Sequence, residues 1–555
     1  MSDTLTRPNI LFIVLDTQRA DRLSCYQSPD PTCSRPATTP NLDQLAAEST
    51  LFERAISPAQ WTIPAHASMF TGEYPSTHQT VQADLELDPG YPTLAELLKL
   101  QGYHTVGFCN NPLLGILKNG LRRGFDVFYN YGGALPTRPA DGTPLPQPLA
   151  GLLEQYTQFW RRLSYPIQNA FAKSDRLFQL ALQPWLVPLW TRFVNFKGDT
   201  RASLRDISRF LAQMAQAPEK PFFAFVNLME PHLPYWPPEP FIQKFAPYFS
   251  QDRQARDFLR LYNNQPYRWM APLKHPLTEL EARVLSDIYD AEVAYQDHLL
   301  GQVFQTLKHT HLEEHTLVVV VADHGEGLGE HQFVGHAFVV YEELIRVPLL
   351  LRYPAVFPKG LRITAPVSTR RLFHTVLDLA LTDTSAPGQA CLSRRLQREI
   401  RKLSLRQTVS QPDPEAETVL AEAFPPHILI RAMEQRQDQV LHSVACLTPR
   451  RALYQGCSKL IEVGQQQSLY DLNQDPGETE DLLAGMHDMV DDLVSETHLP
   501  LDMLRVKASH LHHLLQTLVS SAMARQIETE GAPRRHAFET DQDLVRRMQE
   551  LGYMD

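Results

Sequence analysis

Two uninterrupted apolar runs stand out along the chain, Asn9-Ile10-Leu11-Phe12-Ile13-Val14-Leu15 and Leu317-Val318-Val319-Val320-Val321-Ala322. A run that is apolar at every position, not every second one, belongs to a strand covered on both faces, as in a parallel sheet between layers of helix. The first run ends in Asp16-Thr17 and the second in Asp323-His324-Gly325-Glu326. Two further predicted strands, Tyr103 to Phe108 and Pro221 to Leu228, lead into Cys109-Asn110-Asn111 and Met229-Glu230-Pro231-His232. Open α/β sheets bind ligands just outside the carboxyl ends of their strands. Asp, Asn, His and Asp-His at four such ends predict one polar crevice, and an oxygen ligand beside a nitrogen ligand predicts metal chemistry in it. One Asp after one strand is ordinarily a turn or capping residue. The joint pattern carries the reading.

A fifth segment supplies a nucleophile. Gln60-Trp61-Thr62-Ile63-Pro64 through Thr71-Gly72 predicts a helix, with Pro64 in its first turn and Gly72 at its stop. Thr62 falls at the cap or just before it. There its hydroxyl lies beside free N–H groups and the positive end of the helix dipole, both of which favour an anion.

The alternation of strands and helices from residue 8 predicts a large doubly wound, mixed-sheet α/β domain over 1–385. A Pro-rich stretch, Pro136 to Pro148, and an apolar, aromatic helical insertion at about 149–197 interrupt it. The weak basic content of the insertion favours a cap over a substrate pocket over a membrane-contact surface. A second aromatic stretch, Phe241 to Leu277, predicts a pocket rim. Residues 386–500 read as a smaller C-terminal α+β domain with an antiparallel sheet. Residues 501–555 read as a helical tail, with helices at 501–529 and 541–551.

Composition narrows the function classes. With 555 residues, 43% of them hydrophobic, the chain can bury one large core and a smaller one. A net charge of −11, without a basic patch interleaved with aromatics, argues against a nucleic-acid partner. The six cysteines show no close-paired metal spacing, and reduced thiols are the simpler reading. Residues 1–7 lack a basic-then-apolar segment, and no apolar run reaches about 18 residues, so no transmembrane segment is expected. The expected location is cytoplasmic.

These blocks, taken in order, resemble the sulfatase-type branch of the alkaline phosphatase superfamily. The resembling segments are Pro8 to Asp16, Thr39-Pro40-Asn41-Leu42-Asp43, the Thr62 segment through Gly72 with Tyr74-Pro75, and His232-Leu233-Pro234-Tyr235 with Pro237-Pro238. Later come Asp323-His324-Gly325-Glu326 with Leu328-Gly329-Glu330-His331, then Tyr341-Glu342-Glu343 with Arg346 to Leu349. Leu469-Tyr470-Asp471-Leu472 with Asp475-Pro476-Gly477-Glu478 and the final Leu551-Gly552-Tyr553 complete the series. The resemblance implies the fold named above and an ester hydrolase that acts on a small-molecule, lipid-headgroup or glycan ester.

The departures from the family pattern shape the expected chemistry. Sulfatases carry Cys or Ser where this chain has Thr62, and convert it to formylglycine. Threonine cannot give that aldehyde, so a Thr62 ester must be opened by water, a step that phosphorus accepts readily beside a metal. Threonine at this position resembles the nucleotide pyrophosphatase/phosphodiesterases and the lipoteichoic acid synthases, which act on phosphorus esters. One carboxylate of the usual Asp pair is replaced by Thr17, Asn of the Asp-Asn pair by His324, and the Lys-x-His segment by Cys109-Asn110-Asn111. Losing two oxygens disfavours Ca²⁺. The resemblance gives Asp16, Thr62, Asp323 and His324 as metal ligands, with Zn²⁺ or Mn²⁺ favoured and Mg²⁺ or Ca²⁺ possible.

It also gives Thr62, His232 and His336 as catalytic residues and His66 and Asn110 as substrate-binding ones. His336 stands where many sulfatases carry a catalytic Lys, and His66 where the family's Arg supports the nucleophile. Glu326 and Glu330 read as loop and capping groups, and Arg19 with Asp21 as an ion pair that shapes a loop. The expected activity is hydrolysis of phosphoric mono- or diesters through a Thr62 intermediate. The alternatives are a sulfuric ester hydrolase without formylglycine, a phosphoryl transferase, and a non-catalytic binding protein.

Overall fold

The structure, a computed structural model, describes residues 7–27, 36–133, 137–139, 197–216, 220–265, 272–381, 392, 394–427, 429–430, 445–484 and 501–526. The insertion expected at about 149–197 lies outside these residues except for Lys197, and the helix expected at 541–551 lies wholly outside them.

The two apolar runs lie side by side in an eight-stranded sheet. Its order is Arg362–Ile363, Thr50–Phe52, Leu349–Arg352, Thr316–Val321, Asn9–Leu15, Phe222–Leu228, His104–Cys109 and Val127–Asn130. Only Leu349–Arg352 runs against its neighbours; the other pairings are parallel. The sheet is therefore mixed, as the sequence predicts. Alternate residues of Asn9–Leu15 serve two cores. Ile10, Phe12 and Val14 pack with side chains of the helices Thr62–Thr71, Leu94–Leu100 and Leu372–Ala380. Leu11, Ile13 and Leu15 pack with those of Thr200–Gln216 and Glu279–His309. Burial on both faces is the reason these strands read as unbroken apolar runs.

Register brings the four polar strand ends to one line. Val14 pairs with both Asn227 and Val321, and Cys109 pairs with Asn227. The chain leaves the strands at Asp16 and Asp323 on the same edge of the sheet.

The aromatic stretch read as a pocket rim forms a small core of its own. Tyr262 and Phe258 pack with Tyr235, Tyr289 and Leu328. Tyr289 in turn donates to the Thr17 carbonyl at 2.6 Å and accepts from the Arg19 N–H at 3.0 Å, which fixes the loop that follows Asp16.

A four-stranded antiparallel sheet of Thr418–Ala423, Arg450–Gln455, Ser458–Val463 and Gln466–Asp471 forms the C-terminal domain. Its strands alternate in the ordinary way. Val419, Ala421, Ala452 and Tyr454 face the α/β domain at Phe338, Val339 and Leu344. Leu420, Leu453, Leu460 and Leu469 face Leu504, Leu511 and Leu515 of the helix Leu501–Ala524.

Two helices pack with layers other than those the sequence suggested. The helix Arg394–Leu403 packs Leu396 and Ile400 into the large core. The helix Leu501–Ala524 is a layer of the C-terminal domain, not a separate tail. An expectation drawn from alternation alone could not see either, because both helices are amphipathic and their partners are distant in sequence. Among the described residues, no helix is long and apolar enough to cross a membrane.

Candidate active site

Asp16, Asp323 and His324 meet in a fully buried cluster. His324 Nε2 lies 3.4 Å from Asp323 Oδ2 and 3.9 Å from Asp16 Oδ1. Each ligand is held by one of its atoms and presents another. Asp16 Oδ2 accepts from Asn111 Nδ2 at 2.6 Å and from Asn227 Nδ2 at 3.3 Å, while Oδ1 has no hydrogen-bond partner. Asp323 Oδ1 accepts from the N–H groups of His324 and Thr17 at 2.9 and 3.3 Å, while Oδ2 has no partner. His324 Nδ1 donates to the Gly325 carbonyl at 2.9 Å, which fixes the tautomer and presents Nε2 as an acceptor.

Two orphaned carboxylate oxygens facing an imidazole nitrogen in a buried pocket are costly without a cation. The same cost shows in the titration of the groups. Burial pushes Asp16 up to about 6, and burial and then the facing Asp16 drive Asp323 well above the usual carboxylate range. Burial likewise holds His324 far below its ordinary value, so it is a neutral ligand. The donor set of two carboxylates and one imidazole fits a divalent metal ion.

Thr62 lies beside this cluster. The helix Thr62–Thr71 has Trp61 as its N-cap and ends at Gly72, whose φ of 77° gives the left-handed stop. Thr62 is therefore the first helical residue and its side chain makes no cap bond, so it does not cap the helix as the sequence allowed. Its Oγ1 instead lies 3.4 Å from His324 Nε2, at the positive end of the helix. His66, one turn on, donates from Nδ1 to the Thr62 carbonyl at 2.8 Å and lies 3.5 Å from Asp323 Oδ2. Burial holds His66 down to about 4, so it is neutral. It holds the Thr62 backbone from beneath.

Three imidazoles and a carboxylate line the next part of the pocket. The His336 ring centre is 4.5 Å from that of His324 and 5.1 Å from that of His232. His336 Nδ1 donates to Glu326 Oε1 at 3.0 Å. Burial lowers the His336 pKa, but the Glu326 carboxylate and its hydrogen bond outweigh this and leave it raised. His232 differs. Its Nδ1 proton is committed to the Leu233 carbonyl, and burial followed by the charge of His336 holds it down to about 3. Glu326 thus favours the charged form of His336, whereas burial favours the neutral form of His232.

The structure brings Asp16, Thr62, His66, His232, Asp323, His324 and His336 together. It does not bring Asn110 to the ligands: the Asn110 amide donates to Thr200 Oγ1 at 2.7 Å, at the start of the helix Thr200–Gln216. Its neighbour Asn111 does the work at Asp16, and Asn227 assists from inside a strand. Neither was singled out by sequence reading, although a polar Asn in the otherwise apolar Phe222–Leu228 was a usable signal. Glu326 was read as a loop group, yet it is fully buried against His336. Glu330 is a loop group, accepting from the Leu328 N–H at 2.7 Å. Arg19 forms the expected pair with Asp21 at 2.8 Å and extends it to Glu330 at 2.6 Å.

Comparison with known proteins agrees with this architecture. The sulfatase family profile matches residues 8–382. An uncharacterized sulfatase of Escherichia coli, YidJ, is 26% identical over 382 residues, covering 68% of this chain and 68% of its own. An ulvan-active sulfatase of Formosa agariphila is 26% identical over 422 residues, covering 75% and 67%. Among solved structures, a phosphonate monoester hydrolase of Agrobacterium radiobacter superposes with a TM-score of 0.59 at 20% identity, over 93% of this chain and 96% of that one. The buried metal-ligand cluster at the strand ends and these matches together place the chain in the sulfatase family of the alkaline phosphatase superfamily, as a hydrolase acting on ester bonds.

Proposed function

We propose that this hydrolase cleaves phosphorus esters, either phosphodiesters or phosphonate monoesters, with unmodified Thr62 as its nucleophile. One observation carries the reading: a threonine hydroxyl, at the first position of a buried helix, sits 3.4 Å from the nitrogen of a neutral metal-ligand histidine. The extra methyl bars conversion to an aldehyde, so the covalent intermediate must be opened by attack at its central atom. Phosphorus allows that attack more readily than sulfur. Two similar proteins accord with it: the phosphonate monoester hydrolase of Agrobacterium radiobacter, and a multifunctional alkaline phosphatase superfamily protein, PehA, of Trinickia caryophylli, 26% identical over 389 residues.

Asp16, Asp323, His324 and Thr62 would hold a divalent cation, with Zn²⁺ or Mn²⁺ favoured by the mixed oxygen and nitrogen donors. When bound, it lowers the pKa of the threonine hydroxyl and neutralises a non-bridging phosphoryl oxygen. The chain's own groups do the rest. Thr62 Oγ1 gives up its proton to solvent and attacks phosphorus as the bond to the leaving oxygen breaks, and His336, whose charged form Glu326 favours, delivers a proton to that oxygen and regains one from solvent. His232, neutral with Nε2 as its acceptor nitrogen, takes a proton from the water that opens the phosphothreonine, and a proton returns to Thr62 Oγ1 as the P–O bond breaks, with His232 releasing its own to solvent. Asn111, Asn227 and His66 hold the ligands and the nucleophile's backbone in place.

Wild type and Thr62→Ala, each loaded with Mn²⁺ or Zn²⁺, would be compared on aryl phosphate monoester, aryl phosphodiester, aryl phosphonate monoester and aryl sulfate. Turnover of a phosphorus ester that is lost in Thr62→Ala is the expected result. Preferred turnover of the sulfate would overturn the phosphorus assignment, and activity surviving in Thr62→Ala would overturn the nucleophile.

A further inference from the structure

A second set of ligand atoms lies away from the reacting groups, where the C-terminal domain meets the active-site loop. His331, Glu343 and Glu478 each point one donor atom into a common space, all within 4.8 Å of one another. His331 follows the Asp323–Glu326 loop, Glu343 lies in the short helix Glu342–Ile345, and Glu478 lies beyond the last strand of the C-terminal sheet. Three segments far apart in sequence thus converge on one point.

The donors are held as ligands are held. The His331 ring stacks on Tyr341, with ring centres 3.7 Å apart, and is hydrogen-bonded to the backbone of Gly477. Its Nε2 lies 3.9 Å from Glu343 Oε2. Glu478 Oε2 accepts from the Glu342 N–H at 2.6 Å. Glu343 is more than nine-tenths buried, and its Oε1 has no hydrogen-bond partner. A buried carboxylate oxygen left in that state is expensive unless a charge or a donor meets it.

Glu342, Glu343 and Glu478 meet one buried ammonium, Lys459, which lies 2.7 Å from Glu478 and 3.2 Å from Glu342. Tyr454 also donates to Glu342. Arg19 lies on the far side of Glu343, but its guanidinium is already committed to Asp21 and Glu330. Lys459 answers Glu342 and Glu478, and Glu343 Oε2 faces the imidazole of His331. One ion bonded at about 2.0–2.2 Å to such donors needs them about 3–4 Å apart, close to the separation present.

We propose that His331, Glu343 and Glu478 form a second divalent-cation site, one that fastens the C-terminal domain to the active-site loop. One imidazole and two carboxylates suit Zn²⁺ or Mn²⁺ over Ca²⁺. The ion is structural: its ligands touch none of Thr62, His232 and His336. It reaches the catalytic loop through the backbone, since the Gly325 N–H donates to the Leu344 carbonyl at 2.6 Å, one residue past Glu343. The proposal does not depend on the Thr62 chemistry.

The test counts ions. Full-length protein stripped with chelator would be titrated with Zn²⁺, and the bound metal measured by plasma mass spectrometry after gel filtration. Wild type should retain two equivalents and His324→Ala one. Glu343→Gln and His331→Asn should each lose one equivalent from wild type, and should lose the last one in the His324→Ala background. Glutamine keeps the shape of Glu343, and asparagine tolerates the positive φ of 52° at His331. Zn²⁺ should raise the Tm of His324→Ala but not that of His324→Ala/Glu343→Gln. One equivalent in wild type, unchanged in folded Glu343→Gln and in His331→Asn, would overturn the proposal and leave a proton-sharing cluster around Lys459.

Discussion

Glu326→Gln separates the charge of the His336 acid from its position. Glutamine keeps an oxygen where Glu326 Oε1 now accepts from His336 Nδ1 at 3.0 Å, so the ring should stay in place and only the charge is lost. A hydrogen bond to a charged group is worth about 1.5–3 kcal/mol and a neutral one about 0.5–1.5. The loss of about 1–2 kcal/mol corresponds to about 5- to 30-fold in kcat/KM. It should fall only on substrates whose leaving oxygen needs a proton. Methyl or other alkyl esters should show it, whereas 4-nitrophenyl esters, whose anion leaves unaided, should change by less than about twofold on the same reasoning.

The pH profile gives a second reading. An acid must be protonated to act, so activity on alkyl esters falls as pH rises through the His336 pKa. Glu326 raises that pKa, and its neutralisation should move the alkaline limb to lower pH. Steady-state kinetics on the two ester classes, with metal content checked in each preparation, would measure both effects. Equal losses on alkyl and nitrophenyl esters, or an alkaline limb that stays where it was, would refute the role given to Glu326 and His336.

Asn111→Ala removes the 2.6 Å bond that holds Asp16 Oδ2, and metal affinity should fall about 10- to 100-fold in competition with a chelating dye; unchanged affinity would show that Asp16 is positioned by the strand alone. Gly325→Ala would place its Cβ 2.0 Å from the Glu343 carbonyl oxygen. It should cost about 1–3 kcal/mol in urea unfolding and reduce metal loading, and near-wild-type values of both would contradict that close approach. His78 is buried, accepts the Thr80 N–H at Nδ1, and is held down to about 3, chiefly by burial. Its folded pKa is below the unfolded value of about 6.5, so its contribution is complete above about pH 6.5. That contribution is lost by about 1.4 kcal/mol per pH unit as pH falls toward 3. His78→Gln should flatten the stability profile between pH 7 and 5 in urea melts, and a profile as steep as wild type would clear His78 of the effect.

The strands and the ligands at their ends were legible because one physical cause wrote both. A strand buried on two faces must be apolar throughout, so the first polar residue after it marks the sheet edge. That is how Asp16 and Asp323 declared themselves. Glu326 and Asn111 did not, because each acts through a partner set by tertiary packing, 10 and 95 positions away. Asn110 was the natural choice as the first polar residue after its strand, yet register turns it toward Thr200 and its neighbour toward Asp16. The packing of Arg394–Leu403 was hidden for a similar reason: an amphipathic helix records that it has an apolar partner, not which one. The charged environments of His336 and His232 were equally hidden, since both residues are plain histidines in sequence and Glu326 favours the charged form of one of them.

The place of Asn9–Leu15 in the sheet bears on how the chain is made. This strand leaves the ribosome first among those described, but its two neighbours, Phe222–Leu228 and Thr316–Val321, follow more than two hundred and three hundred residues later. Until Phe222–Leu228 is made this apolar strand has both edges unpaired, and one edge stays open until Thr316–Val321 follows, the condition that invites association with other nascent chains. Folding of the large domain therefore waits on late-arriving segments, and it is slow in the manner of proteins rich in distant contacts. A chain halted before Thr316 would lack Asp323 and His324 and would carry an open sheet edge, a substrate for chaperones rather than an enzyme.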